Sequence, residues 1–251
     1  MGARGLSLPK ITAVLWKWKP APGYRSKFEG RHVDISARML KRHYPGEMEV
    51  VCITDDPEGI TQADRIIPLW DDFSNMKSPH DRPGRSPNPS CYRRLKMFAP
   101  DAADWLGERI LSIDLDTVIT GDLTRPLSRK EDFVIWGDTS PNTYYNGGLI
   151  LFTAGCRPQL WTEFDPVTSP VRARQAQQWG SDQAWIGACL GPKEAKFGTS
   201  DGVYSYRNHL KNPTRGSCWL PNNAKIISFH GAIDPDHPEP QRLPWVKRYY
   251  Q

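Results

Sequence analysis

The chain of 251 residues has no apolar run approaching the roughly 18 residues that cross a bilayer. The segment around Ile11 to Trp16 is too short, and too soon broken by Lys17 and Lys19, to serve as a secretory leader. A cytoplasmic protein with no integral membrane association is the expectation. Met1-Gly2 lacks the Ser or Thr of a myristoylation signal, since Leu6 stands in its place. Cysteine is scarce: Cys52, Cys91, Cys156, Cys189 and Cys218 are odd in number, widely spaced and without a Cys-x-x-Cys pair. They read as reduced structural thiols and give no zinc site.

What is present is the composition of one soluble α/β domain, with 23 Pro and 20 Gly that imply long ordered loops between short elements. Such loops are where sites tend to be built. The net charge of +5 suits a polyanionic partner, whether nucleic acid or a diphosphate.

Residues 109 to 123 organise the rest. Arg109 to Ile113 is a short apolar run, as a buried strand is, and Asp114 and Asp116 fall at its carboxyl end. Side chains two apart on an extended segment point the same way, so both carboxylates face one crevice. Two such charges repel unless a cation sits between them, and hard oxygen ligands suit Mg2+ or Mn2+. The pattern also meets Asp-x-Asp-x-Thr/Val through Thr117 and Val118, so nucleotide-sugar transferases and phosphatases of the haloacid dehalogenase type both remain open at this point.

Along the chain, Ile11 to Trp16 reads as a first central strand. Val33, Ala37, Leu40 and Tyr44 mark an amphipathic helix stopped by Pro45-Gly46, and Glu49 to Thr54 and Arg65 to Leu69 read as further strands. Strand, helix, strand opens a doubly wound sheet, whose ligands bind beyond the strands' carboxyl ends, near Trp16, Asp55 and Asp56. Residues 70 to 90 read as a long loop or lid. Cys91 to Ala99 reads as a helix with Arg93, Arg94 and Lys96 available for phosphates, and Asp101 to Glu108 as another. Asp132 to Trp136 is a strand, and Asn146-Gly147-Gly148 reads as a glycine turn before an apolar strand. Ser181 is the N-cap expected for the helix that Asp182 and Gln183 open, and Lys225 to Phe229 is a last strand ending in His230-Gly231.

In order and spacing, the set Tyr92-Arg93-Arg94-Leu95-Lys96, Asp114-Leu115-Asp116, Asn146-Gly147-Gly148, Asp182-Gln183 and Phe229-His230-Gly231 resembles glycosyltransferase family 8 and its relatives with the GT-A fold. The resemblance implies a single α/β domain over 1–251, a GT-A-type mixed sheet flanked by helices, with a nucleotide-binding half (1–113) and a metal, sugar and acceptor half (114–251). It implies that Asp114, Asp116 and His230 hold Mn2+ or Mg2+ on the diphosphate of a nucleotide-sugar donor, UDP-sugar by default. Arg94 and Lys96 fall near phosphate and sugar, with Gly147 and Gly148 close to the donor. Asn146, Asp182 and Gln183 fall at the reaction centre, and Trp16 and Asp55 at the base. Retention of configuration is the family's implied outcome.

The sequence departs from the family in lacking a Lys shortly after His230-Gly231; Arg242 and Lys247 are the expected substitutes. The acceptor expected from the basic surface, with Trp18, Tyr24, Trp70 and Tyr92 near the crevice mouth and Arg25, Lys27 and Arg31 as contacts, is a 5-hydroxymethylpyrimidine in DNA. A glycan- or protein-directed transferase is the alternative. The phosphatase reading leaves residues 1 to 110 without a role. A non-catalytic nucleic-acid-binding module would be free to lose both acids, which are present.

Overall fold

A computed structural model of the chain describes residues 8–19, 28–76, 90–211, 219–231 and 233–251. Ten strands lie among them: β1 (Ile11–Lys17), β2 (Met48–Thr54), β3 (Arg65–Pro68), β4 (Arg109–Ile113), β5 (Thr117–Ile119), β6 (Phe133–Ser140), β7 (Thr143–Thr153), β8 (Ala195–Phe197), β9 (Val203–Ser205) and β10 (Ile226–Ser228). The α-helices are α1 (Gly30–His43), α2 (Ala102–Leu106), α3 (Thr124–Leu127), α4 (Gln159–Thr162), α5 (Ser169–Gln175), α6 (Asp182–Leu190) and α7 (Pro244–Tyr249).

Every residue of β1 is buried, as in a strand covered on both faces. It sits near the middle of a seven-stranded sheet ordered β3-β2-β1-β4-β7-β6-β8. β3, β2, β1 and β4 run parallel, β7 is antiparallel to both β4 and β6, and β8 is parallel to β6. β3 closes one edge with alternating exposure and ends on Pro68, a residue that edge strands tolerate.

Strand alternation divides the core. Ala13, Leu15, Leu111 and Ile113 pack with Val33, Ala37 and Leu40 of α1, while Val14, Trp16 and Ile110 pack with Tyr92, Leu95, Phe98 and Trp185. Truncating a buried leucine such as Leu40 to Ala in such a core costs about 2 to 5 kcal/mol. α1 approaches the loop after β2 so closely that a Cβ on Gly30 would lie 2.2 Å from the Gly59 carbonyl carbon, so only glycine fits there. β1, β2 and β3 are therefore built into the same sheet as β4, which leads to Asp114, a role the phosphatase reading did not give them.

A second sheet of three strands, ordered β5-β10-β9, holds the end of the crevice. β5 begins directly after Asp116 and β10 ends directly before Phe229-His230. Thr117 pairs with Ser228, and Phe229 N donates to the Asp116 carbonyl at 2.8 Å. Antiparallel pairing thus brings two distant segments side by side, Asp116 on one and His230 on the other.

Several expectations are corrected. Cys91–Phe98 is a 3-10 helix, and Asn146-Gly147-Gly148 lies inside the eleven-residue β7, not in a turn. There Ile135 faces Ile150 while the next residue, Trp136, faces Asn146, so an irregularity in the ladder leaves Gly147, Gly148 and Leu149 unpaired with β6. The proposed lid at 70–90 falls largely on 77–89, outside the described residues, as do Tyr24, Arg25, Lys27 and Cys218. No helix among the described residues is long and apolar enough to cross a membrane.

Candidate functional site

β1 and β4 end side by side, and the crevice opens where they stop. It has a volume of about 410 Å³ and is lined by Trp16, Trp18 and Phe28 on one side, by Arg94, Asp114, Asp116 and Asn146 at its floor, and by Asp182, Gln183, His230 and Gly231 beyond. The positions expected from sequence therefore converge, with three qualifications. Asp55 is outside the lining, accepting the Lys19 backbone N–H at 2.7 Å and facing Arg93 Nη1 at 3.5 Å. Lys96 is also outside, pairing with Asp72 at 2.8 Å and lying over the Trp70 ring. Gly147 stands just behind the wall, where an added Cβ would lie 3.0 Å from Arg94 Nη2 and 3.2 Å from Asp182 Oδ2.

Arg94 is the electrostatic centre. Its Nη1 donates to Asp114 Oδ1 at 2.6 Å, while Nε and Nη2 approach Asp182 Oδ2 at 2.9 and 2.7 Å. Asp182 is 2% exposed and Arg94 5%, so the pair is held away from bulk water, whereas Asp114 opens into the crevice. Burial alone would lower the Arg94 pKa, but Asp182 and Asp114 together raise it, and the guanidinium stays charged. Asp114 is pushed up by loss of solvent and by Asp182, against the pull of Arg94, because one cation cannot fully offset two carboxylates. Cys91, on the same wall, is pushed up to about 12 by burial and is an inert thiol at neutral pH.

The backbone fixes this arrangement. Asp114 N donates to Gly148 O at 3.0 Å, and Gly148 N donates to Asn146 Oδ1 at 2.8 Å. A Cβ on Gly148 would sit 2.9 Å from Asp114 Oδ2 and 3.0 Å from Asn146 Oδ1, so glycine makes room for both side chains. Gly147 N donates to Gln183 Oε1 at 3.4 Å. Ser181 occupies the N-cap position of α6 but makes no side-chain cap; its hydroxyl donates to Asp182 Oδ1 at 3.1 Å instead.

Asp114, Asp116 and His230 are the candidate metal ligands. Burial, with Arg207 and His209 nearby, lowers the His230 pKa, so its imidazole is neutral at pH 7 as metal binding requires. Two carboxylates and a neutral imidazole are a donor set that suits Mn2+ or Mg2+ in chemistry. In position they share the crevice without converging on one point: Asp114 Oδ1 is engaged by Arg94 and His230 Nε2 by Ser205 Oγ at 2.7 Å. Among the described residues no three His, Cys, Asp or Glu side chains are grouped so as to hold a metal ion.

The aromatic expectations change most. Tyr92 is buried, and Trp70 is packed edge-on against Trp16 and Trp105 with its indole N–H donated to Arg93 O at 2.8 Å. Trp16 lines the crevice but commits its own indole N–H to Ser112 Oγ at 2.9 Å. Arg31 is tied to Glu29 and Asp236. Sequence reading missed Trp179, whose side chain is 55% exposed next to the crevice-lining Gly180. Its loop is held by buried Gln178, which accepts the Tyr144 N–H at 2.9 Å, and Trp179 N donates to Asn142 O at 3.0 Å. Large exposed indoles held on a pinned loop are uncommon enough to be a usable signal.

No family model and no curated protein matches the sequence. Among solved structures, the galactosyltransferase LgtC, in complex with donor and acceptor sugar analogs, is similar with a TM-score of 0.60 at 12% identity, over 96% of this chain and 96% of LgtC. The apo form of the glycosyltransferase GlyE of Streptococcus pneumoniae TIGR4 is similar with a TM-score of 0.55 at 10% identity, over 92% of this chain and 57% of GlyE. The chain has the GT-A-type, Rossmann-like fold of those structures, a single mixed α/β domain with its central sheet flanked by helices.

Proposed function

We propose that the chain is a glycosyltransferase that moves a hexose from a nucleoside-diphosphate sugar, UDP-sugar by default, to a hydroxyl acceptor. The observation that carries this reading is Arg94 bridging Asp114 and Asp182 in a crevice at the carboxyl ends of β1 and β4. Cleaving the anomeric C–O bond puts negative charge on the leaving diphosphate while the sugar carbon becomes oxocarbenium-like. Arg94 fixes the two carboxylates offered to the oxocarbenium-like carbon, and with its nitrogens engaged by them the leaving diphosphate calls for a further cation.

In this reading Trp16 and Trp18 border the base, and Arg94 orients the sugar-phosphate junction. Asp182, Gln183 and Asn146 supply oxygens around the sugar. Asp114, Asp116 and His230 would hold Mn2+ or Mg2+, which would supply Lewis-acid stabilisation of the diphosphate. A neutral His230 imidazole is the form that such binding needs. Retention of configuration belongs to the same proposal, with Asp182 and Gln183 as the polar groups nearest the sugar.

The acceptor side is the Gly180–Gln183 end, where exposed Trp179 stands on the same segment as exposed Arg172 and Arg174. An exposed indole on a segment that also carries exposed cations suits a stacked base on a phosphodiester, which favours a 5-hydroxymethylpyrimidine in DNA over a glycan or protein hydroxyl. The test is sugar transfer from labelled UDP-glucose to DNA with and without 5-hydroxymethylcytosine, beside free glycans. Transfer to the hydroxymethylated strand, with Trp179→Ala about 10-fold slower at unchanged donor affinity, is expected from the usual value of base–aromatic stacking. Transfer to glycans alone would replace DNA by a glycan acceptor.

A further inference from the structure

The charged crevice wall is out of balance for an anionic ligand. Arg94 is its one arginine among the described lining residues, and it is consumed by Asp114 and Asp182, with Asp116 a further acid in the lining. Lys17 is buried on Asp56, Arg93 is held by Asp55 and Trp70, and Arg31 by Glu29 and Asp236. Arg242 and Lys247, the substitutes expected from sequence, do not line the crevice.

Arg207 does not line the crevice either, but it stands against a residue that does. It lies on a single π-helical turn, Tyr206–Leu210, and its guanidinium borders Gly231, where a Cβ would lie 3.4 Å from Arg207 Nη1. Gly231 has φ +105°, and it follows His230 at the far end of the crevice. Arg207 is exposed and makes no hydrogen bond or ion pair among the described residues.

The turn that presents Arg207 is locked to the strand before His230. The Tyr206 ring stacks on Phe229 with centroids 4.2 Å apart and planes within 17°. Ser205 Oγ accepts Asn208 N at 2.9 Å and meets His230 Nε2 at 2.7 Å, and His209 Nδ1 accepts Ser205 N at 2.9 Å. The geometry therefore holds a free guanidinium beside His230-Gly231, on a segment distant in sequence from the saturated Arg94.

We propose that Arg207 is a phosphate-binding residue, donating from its guanidinium to the diphosphate of the bound nucleotide at the His230-Gly231 end. This rests on the nucleotide-sugar reading above and adds to it the cation that the sequence after Gly231 lacks. A planar guanidinium can give two parallel hydrogen bonds to one phosphate, which a lysine cannot.

The experiment is calorimetric titration, with Mn2+ present throughout, of UDP, uridine and inorganic pyrophosphate into wild type, Arg207→Gln, Arg207→Lys and, as a comparator, Arg242→Gln. Losing a charge-assisted hydrogen bond weakens UDP and pyrophosphate about 10- to 100-fold in Arg207→Gln, less in Arg207→Lys, with uridine and the melting temperature unchanged. Arg242→Gln matches wild type. UDP affinity within about twofold of wild type in Arg207→Gln overturns the assignment while leaving the donor site standing. Wild type that binds neither UDP nor pyrophosphate removes the donor reading and this assignment together.

Discussion

Arg94 and Asp182 meet through two guanidinium nitrogens on one carboxylate oxygen, Nε at 2.9 Å and Nη2 at 2.7 Å, with both side chains almost fully removed from solvent. The remaining nitrogen reaches Asp114 at 2.6 Å. Two segments 88 residues apart are thereby tied at the crevice floor.

Replacing that guanidinium by an apolar chain leaves two carboxylates facing each other. Arg94→Met is expected to lose on the order of 3 kcal/mol at pH 7.5, the usual cost of orphaning a buried ion pair. The folded-state pKa of Asp114, already raised, rises further above its unfolded value, so the folded form takes up that proton first as pH falls and the deficit shrinks toward pH 5. Urea unfolding at both pH values checks this. A deficit independent of pH would mean that packing, not charge, is what Arg94 supplies.

His230 is expected to titrate below the 6.5 of an ordinary imidazole, because burial, Arg207 and His209 all disfavour its charged form. As pH falls through 6.5 the unfolded chain binds this proton before the folded one, so His230 subtracts stability on the acid side and none above it. Histidine NMR across that range measures the midpoint directly. Arg207→Gln moves it upward; a midpoint at or above 6.5 in wild type would contradict the described environment.

Gly148→Ala is expected to cost about 1 to 3 kcal/mol through overpacking and to displace Asp114, with loss of transfer. The cause is steric, since the new methyl would stand 2.9 Å from Asp114 Oδ2. Gly198→Ala is the comparison: nothing lies within 4 Å of its added Cβ, and the effect stays within about 0.5 kcal/mol. Denaturant unfolding and a transfer assay on both variants separate room for Asp114 from a general cost of replacing glycine.

Much of this architecture was legible in the sequence because its signals are long or strongly periodic. β1, α1, β2 and β4 are apolar runs or amphipathic stripes, and Asp114 and Asp116 fall where a buried strand runs out. Asn146-Gly147-Gly148 reads as a turn from sequence, since a bulge inside a long strand and a hairpin have the same local composition. β5, β9 and β10 are three residues each, too short to show a period. Lys96 looked available for phosphate because its partner Asp72 lies 24 residues away. Arg207 gave no sign, as one cation among 33 Lys and Arg is distinguished only by what the fold leaves it facing. The crevice end at His230 exists through the pairing of β5 with β10, a long-range contact that no local pattern encodes.

The central claim is a metal-linked nucleotide site at the Asp-x-Asp strand. Calorimetric titration of UDP, GDP and ADP with and without Mn2+, on wild type and Asp116→Asn, tests it most directly. One diphosphate that binds wild type only with Mn2+, and fails to bind a folded Asp116→Asn, is the predicted result. Binding indifferent to both Mn2+ and Asp116, or no nucleotide binding at all, would contradict it.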